Sequence, residues 1–403
     1  MNCETKKNMN KGKESRLQEE VRRELLDDIL PFWLKLQDPE FGGFYGRVDG
    51  ENRLHPDSDK GAIYMSRILW TFSMAYRLFG NPDYLHAATE ARSFILDHMI
   101  DPEKGGIYWK VDRQGNPADG KKQIYAQGFA IYGLSEYYRA TGDAQALAEA
   151  VRLFRCIEEH AWDPIAGGYL EAFSQSWGYL SDMRLSDKDD NQPKTMNTHL
   201  HILEPYTNLL RVWDNDLLKK RLKALIDLFF ERIIDKESNH CLLFFDMDWT
   251  CKSDTISYGH DIEACWLLHD ALDVLGGKDL TSGYASRLQA IAAAAAEGIA
   301  PDGSLFYERN LRTGATDSER HWWVQAENIL GNYLIYKWYG DEGRLDRAVN
   351  TWHYVQHRII DTEQGEWYWS RRADGTPNRM DDKAGFWKCP YHNGRMAMIL
   401  NEP

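Results

Sequence analysis

The chain has 403 residues, 43% of them apolar, and a formal charge of −14 with the acidic residues spread along its length. That apolar content excludes a disordered chain, and the acidic balance argues against nucleic acid or an anionic membrane as partner. No run approaches the roughly 18 apolar residues of a membrane span, and six scattered cysteines without a C-x-x-C pair give neither a zinc cluster nor a disulfide framework.

The first 14 residues, "MNCETKKNMNKGKE", are polar and lysine-rich and lack an apolar segment, so they read as a flexible leader rather than a secretory signal. Residues 15–403 read as one domain, and the expected setting is the cytoplasm, as a monomer. A helix near 15–35 comes first. Then a turn signature appears, "DPEFGGFYGRVDG" at 38, and it returns as "DPEKGGIYWKVDRQG" at 101 and "DPIAGGYLEAF" at 163. Weaker relatives follow at 301 and 362. The first glycines of these turns are about 62 residues apart, except for one gap of about 136 that contains "NHCLLFFDMDWT", a turn without glycines. Six units therefore fill the chain.

Each unit has the same order. Asp-Pro and Gly-Gly mark a turn, and the alternating aromatics after it indicate a short hairpin. Two helix-length stretches follow. The first of each pair, such as "MSRILWTFSMAYRLF", "YAQGFAIYGLSEYYRAT" or "NTHLHILEPYTNLLRVW", is apolar around most of its circumference, as a buried helix is. The second, such as "DAQALAEAVRLFRCIEEH", has one charged face. The tail from 390 supplies the last buried helix, opened by Pro390. Six inner and six outer helices close into an all-α (α/α)6 barrel. An open solenoid would leave the polar residues of the inner helices without a shared enclosure.

Those polar residues carry the functional reading. Near the starts of the inner helices lie Arg67, Tyr125, Asn197 and His201, His260 and Glu263, Trp323 and Glu327, and finally Trp387 and His392. Parallel inner helices bring these ends to one rim. Asn197 and His201 share a face at i,i+4, as do Trp323 and Glu327, and His260 and Glu263 share one at i,i+3. His199 lies two residues from His201, on another face, so His201 is assigned inward. With Trp at 15 and Tyr at 21, flat rings suited to pyranose faces are plentiful. If the pocket holds an open-chain sugar, His260 and His392 can flank C2. One neutral imidazole removes the proton and the other, protonated, returns one to the opposite face. Glu263 is expected to orient His260, and Arg67 and Asn197 to supply donors to the enediolate oxygen. No cofactor is required. Three other readings stand beside this one: zinc held by His201, His260, His392 and Glu263; a glycoside hydrolase using Glu263 and Glu327; and a non-catalytic sugar-binding protein.

Four separated motifs, "MNTHLHILE", "YGHDIEACWLL", "WWVQAE" and "FWKCPYHNGR", resemble in order and spacing those of the N-acylglucosamine 2-epimerase superfamily, and within it most closely the cellobiose 2-epimerases. The resemblance covers essentially the whole chain. It implies an (α/α)6 barrel that interconverts glucose and mannose at the reducing end of β-1,4-linked disaccharides such as cellobiose and lactose, without metal. It also implies His260 and His392 as the acid/base pair, with His201 assisting. Arg67, Tyr125, Asn197, Glu263 and Glu327 would be substrate or proton-network residues, Trp323 and Trp387 stacking walls, and Asp189, in "SDKDDNQPKT", a residue near the sugar. N-acetylglucosamine 2-epimerases and aldose–ketose isomerases of the same superfamily share the enediolate step.

Overall fold

The computed structural model describes residues 3–402. Helix α1 (Cys3–Glu24) runs through a π turn into α2 (Leu30–Leu34), and after the first hairpin come α3 (Ala62–Phe79) and α4 (Pro82–Phe94). The same order repeats as α5 (Ile124–Thr141) and α6 (Ala144–His160), then α7 (Met196–Leu210) and α8 (Asp216–Leu228). Helix α9 (Tyr258–Ala295) holds both members of the next pair, bent at Gly277, whose φ of 67° no helix interior adopts. Helices α10 (Trp322–Tyr339), α11 (Glu342–Tyr354) and α12 (His392–Leu400) complete the set.

Helices α3, α5, α7, the first half of α9, α10 and α12 form the inner ring, each packed on the next, and α12 closes it against α3. The remaining helices form the outer layer. Closure is covalently distant but tightly held: Val48 bridges Ala384, and Gln18 Nε2 donates to the Leu400 carbonyl at 2.7 Å. This is the expected (α/α)6 barrel. Inner helices approach closely where glycine removes a side chain. A Cβ on Gly128 of α5 would lie 2.4 Å from the His201 carbonyl oxygen of α7.

Sixfold repetition is visible in the turns. One isolated β-bridge recurs in every unit: Gln37–Phe44, Ile100–Ile107, Trp162–Tyr169, Ile234–Cys241, Ile299–Leu305 and Ile360–Trp367. The fourth turn lost its glycines but kept the shape, because Asn239 takes φ 62° there, and asparagine tolerates that region better than most residues. In four units the turn aspartate forms a buried pair with a lysine just before the inner helix or in the tail: Lys60–Asp38 at 3.0 Å, Lys122–Asp101 at 2.9 Å, Lys194–Asp163 at 2.6 Å and Lys383–Asp361 at 2.6 Å. Short strands lead directly into α3, α5, α7, α9 and α10, which puts these N-termini on one rim.

Of the leader expected at 1–14, residues 1 and 2 lie outside the described residues and the rest lies within α1. The helix reaches back to Cys3, and within it Lys13 pairs with Asp346 at 2.6 Å while Glu14 accepts from Lys337 at 2.7 Å. A polar segment without an apolar core still forms helix when its charges find partners on the outer wall. No helix among the described residues is long and apolar enough to cross a membrane.

Candidate active site

Most of the singled-out residues converge where the inner helices begin. Helix α9 opens with Tyr258 and brings His260 against the Trp323 ring of α10, centroids 4.7 Å apart. His392, the first residue of α12, approaches the same ring at 5.6 Å. Gly259 permits this, since a Cβ there would meet Trp323 at 2.8 Å. His201 stands edge-on to Tyr125 at 4.9 Å, and Arg67 Nη2 donates to the Tyr125 hydroxyl at 2.7 Å. Trp387 borders Tyr125 at 6.3 Å and lines a cleft of about 270 Å³ with Phe386, Trp369 and Arg47. His199 faces elsewhere. Its Nε2 accepts from the Tyr169 N–H and its Nδ1 lies 2.6 Å from the Thr195 carbonyl, so it pins a hairpin.

Beneath the rim lies a charged network. His392 Nδ1 is 2.7 Å from Glu327 Oε1, Trp266 Nε1 donates to Glu327 Oε2 at 2.9 Å, and His201 Nδ1 is 3.1 Å from Glu204 Oε2. Arg395, one turn after His392, donates from Nη2 to both Glu263 and Glu327 at 2.6 Å and from Nη1 to Glu204. Tyr391 donates to Glu204 as well. One guanidinium therefore serves three carboxylates from three other helices.

These surroundings set the protonation states. Burial pushes Glu263 up to about 8, with Glu327 adding and Arg395 opposing, which favours its neutral form. Burial favours a neutral Glu204, but Arg395 and then His201 override it and hold the carboxyl down at about 2. Burial lowers His260 to about 3 and also holds His392 well below the ordinary histidine range, with Arg67 and Arg395 adding in the latter case. Burial also raises Glu327, against Arg395. His392 Nδ1 and Glu327 Oε1, 2.7 Å apart, are joined by one hydrogen bond.

Three residues and the zinc set make contacts that differ from the expectation. Glu263 does not orient His260: its carboxylate is turned to Arg395, and the His260 Nδ1 lies 2.9 Å from the Ser257 hydroxyl instead. Glu327 is wholly buried and bonded to His392, Trp266 and Arg395, so it acts behind the imidazole rather than on a ligand. Asp189 stands outside the network, its carboxylate accepting from the Ser186 N–H at 2.8 Å and hydroxyl at 2.9 Å. The zinc set does not assemble either. Among the described residues, only Glu263, Glu327 and His392 bring ligand atoms within 4.8 Å of one another, and Arg395 already fills the cationic position between those carboxylates.

Sequence reasoning passed over Glu204, Trp266, Arg395 and Ser257. Spacing held a clue to two of them: Glu204 follows His201, and Arg395 follows His392, by the same i,i+3 step that separates His260 from Glu263. A second cavity, of about 320 Å³, opens at the other end of the barrel between Trp70, Tyr132, Trp266 and Trp338. No inward histidine lines it, and its Arg139 and Arg211 are paired with Glu136 and Asp270.

A closed ring of twelve helices with histidines, tryptophans and a buried carboxylate network at one rim defines a sugar-processing (α/α)6 barrel. The family model described as N-acylglucosamine 2-epimerase (GlcNAc 2-epimerase) matches residues 43–393, and the chain belongs to that family. It is 54% identical to a cellobiose 2-epimerase of Bacteroides fragilis over 95% of this chain and 98% of that protein. A cellobiose 2-epimerase of Ruminococcus albus is 43% identical, over 94% and 97% of the two chains. The solved cellobiose 2-epimerase of Bacillus thermoamylovorans superposes with a TM-score of 0.92 at 44% identity, covering 96% of this chain and 99% of that one.

Proposed function

We propose that the protein is a carbohydrate 2-epimerase acting at the reducing end of β-1,4-linked disaccharides, converting cellobiose to 4-O-β-D-glucosyl-D-mannose and lactose to epilactose. The observation that carries this reading is the placement of His260 and His392 against the same Trp323 ring, at 4.7 and 5.6 Å, which brings together two imidazoles from distant segments. The high identity to cellobiose 2-epimerases supports the choice of substrate.

The sugar first opens to its aldehyde, which makes the C2 proton acidic. A neutral imidazole takes that proton at Nε2, and the C–H electron pair becomes the C1–C2 double bond of an enediolate. Arg67 and Asn197 are the donors assigned to its oxygens. Arg67 Nε–H is an unpaired donor, and Asn197 is half-buried, its Nδ2 the group that can donate to that oxygen and its unpartnered Oδ1 an acceptor for a sugar hydroxyl. The opposite imidazole then returns a proton to the other face of C2. Net transfer is one proton from one histidine to the other. Glu327 behind His392 Nδ1 is the group that can back the protonated form of that ring, whereas His260 has a hydroxyl at Nδ1. His201, fixed by Glu204, faces Tyr125 and assists at the carbonyl end.

Incubation with cellobiose in heavy water tests the proposal, read by proton NMR. Deuterium at C2 with a mannose-type reducing end is expected, and His260→Asn or His392→Asn should lower turnover at least a thousandfold. Free glucose would replace the reading by hydrolysis. Unaltered cellobiose that still binds would reduce the protein to a sugar-binding module.

A further inference from the structure

The three inward imidazoles are held alike at Nδ1 but not by the same chemistry. His392 rests on the Glu327 carboxylate and His201 on the Glu204 carboxylate, both acceptor groups when ionised, whereas His260 rests on a neutral hydroxyl, that of Ser257, at 2.9 Å. We propose that Ser257 is a positioning residue for His260: its oxygen accepts from the Nδ1–H, which leaves the lone pair on Nε2 and turns that nitrogen to the substrate. This inference rests on the two-histidine reading above.

Helix-capping chemistry gives the independent support. Ser257 occupies the residue before α9, where a serine ordinarily turns its oxygen to a backbone N–H of the first turn. It makes no such bond here. Thr195, at the matching place before α7, does cap in the ordinary way, accepting from the Thr198 N–H at 3.1 Å. The Ser257 hydroxyl has thus been diverted from the helix to the imidazole. It is also well anchored for that task. Ser257 is fully buried, and its strand, Thr255–Ser257, pairs antiparallel with Glu308–Asn310, which fixes the backbone beneath the side chain.

The chemistry needs this control. A neutral imidazole has one N–H, and the partner of one ring nitrogen decides which nitrogen is left as base. With the proton on Nε2 instead, His260 would face the sugar as a donor and could not accept the C2 proton. A hydroxyl suits this better than a carboxylate. It holds the tautomer without adding negative charge, so the proton His260 gathers is released again readily, in keeping with the depressed basicity that burial gives the ring. His392 is backed instead by the Glu327 carboxyl. The difference in backing groups builds an asymmetric pair.

The test uses the full chain labelled with ¹⁵N-histidine. The wild-type His260 signal, assigned by its loss in His260→Asn, should show the Nδ1–H tautomer. Ser257→Ala should shift it toward Nε2–H and lower kcat on cellobiose about ten- to hundredfold, the size of effect known for groups that orient a metal-bound histidine, with KM within twofold. Ser257→Thr should restore both the tautomer and kcat. An Nε2–H tautomer in the wild type would overturn the proposal without any variant, and so would Ser257→Ala with an unchanged kcat. If the wild-type tautomer is Nδ1–H while His260→Asn still exchanges the C2 proton, the positioning stands and the two-histidine reading is what fails.

Discussion

Two sets of buried charges in this barrel look similar and are built on different terms. In four of the six hairpins the turn aspartate meets a buried lysine, Asp38, Asp101, Asp163 and Asp361 with Lys60, Lys122, Lys194 and Lys383, Asp38 taking Arg113 as well. Beneath the rim, one arginine meets three glutamates, and nothing repeats. Balanced pairs fix each aspartate as an anion, and Asp101 is held down at about 2 by backbone N–H groups and Lys122 despite burial. The unbalanced cluster cannot ionise all its members. It holds the Glu204 carboxyl down, pushes Glu263 up and sets Glu327 against His392 Nδ1. Repetition marks the scaffold, and the departure from one-to-one pairing marks the place where protons are stored and moved.

The largest effect should come from removing the shared cation. Arg395→Met leaves Glu204, Glu263 and Glu327 facing one another without a counter-charge. Breaking a buried ion pair from one side typically costs about 3–5 kcal/mol, and here it also unfixes the carboxylates behind His201 and His392. Turnover should fall more than a hundredfold, and urea unfolding should show a loss of that size. A variant with near-native turnover would erase the distinction between the two charge sets.

The scaffold counterpart is Lys122→Met, which strands Asp101. A stability loss of about 3–5 kcal/mol is expected on the same grounds, but kcat per folded molecule should stay within twofold. Proton linkage sharpens this. Because the folded pKa of Asp101 lies below its ordinary value, its contribution is present above about pH 4 and is lost as the pH falls toward 2. Urea midpoints of the wild type should therefore decline across that window, and those of Lys122→Met should decline less. Parallel pH profiles would show that the pair does not hold the aspartate down.

Much of this division was legible before any coordinates. Turn spacing gave six units, and even the fourth, stripped of glycine, kept its turn through Asn239. Histidine phases separated His201 from His199 correctly, because a helix offers only one inward face at that step. What escaped notice was long-range or deceptive. Arg395 is a hub because its acceptors arrive from α7, α9 and α10, a convergence that no local spacing announces. Ser257 was invisible because a serine before a helix reads as a cap. Glu263 shares the helical face of His260, yet a stronger partner across the barrel claims it.

The smallest effect should come from Gly259→Ala, which touches no charge. Alanine normally favours a helix over glycine by up to about 1 kcal/mol, so propensity alone predicts a gain. Here the new methyl would lie 2.8 Å from the Trp323 ring and 2.9 Å from Val324 Cγ2, and overpacking of that kind costs about 1–3 kcal/mol. Unless the indole swings away, the clash prevails. Trp323 is the surface both imidazoles border, so its displacement should weaken sugar binding more than proton transfer. A KM for cellobiose raised about three- to tenfold, with kcat reduced less than threefold, is expected from initial-rate kinetics. An unchanged KM would mean that Trp323 does not bound the sugar, and that the ring shared by His260 and His392 is only packing.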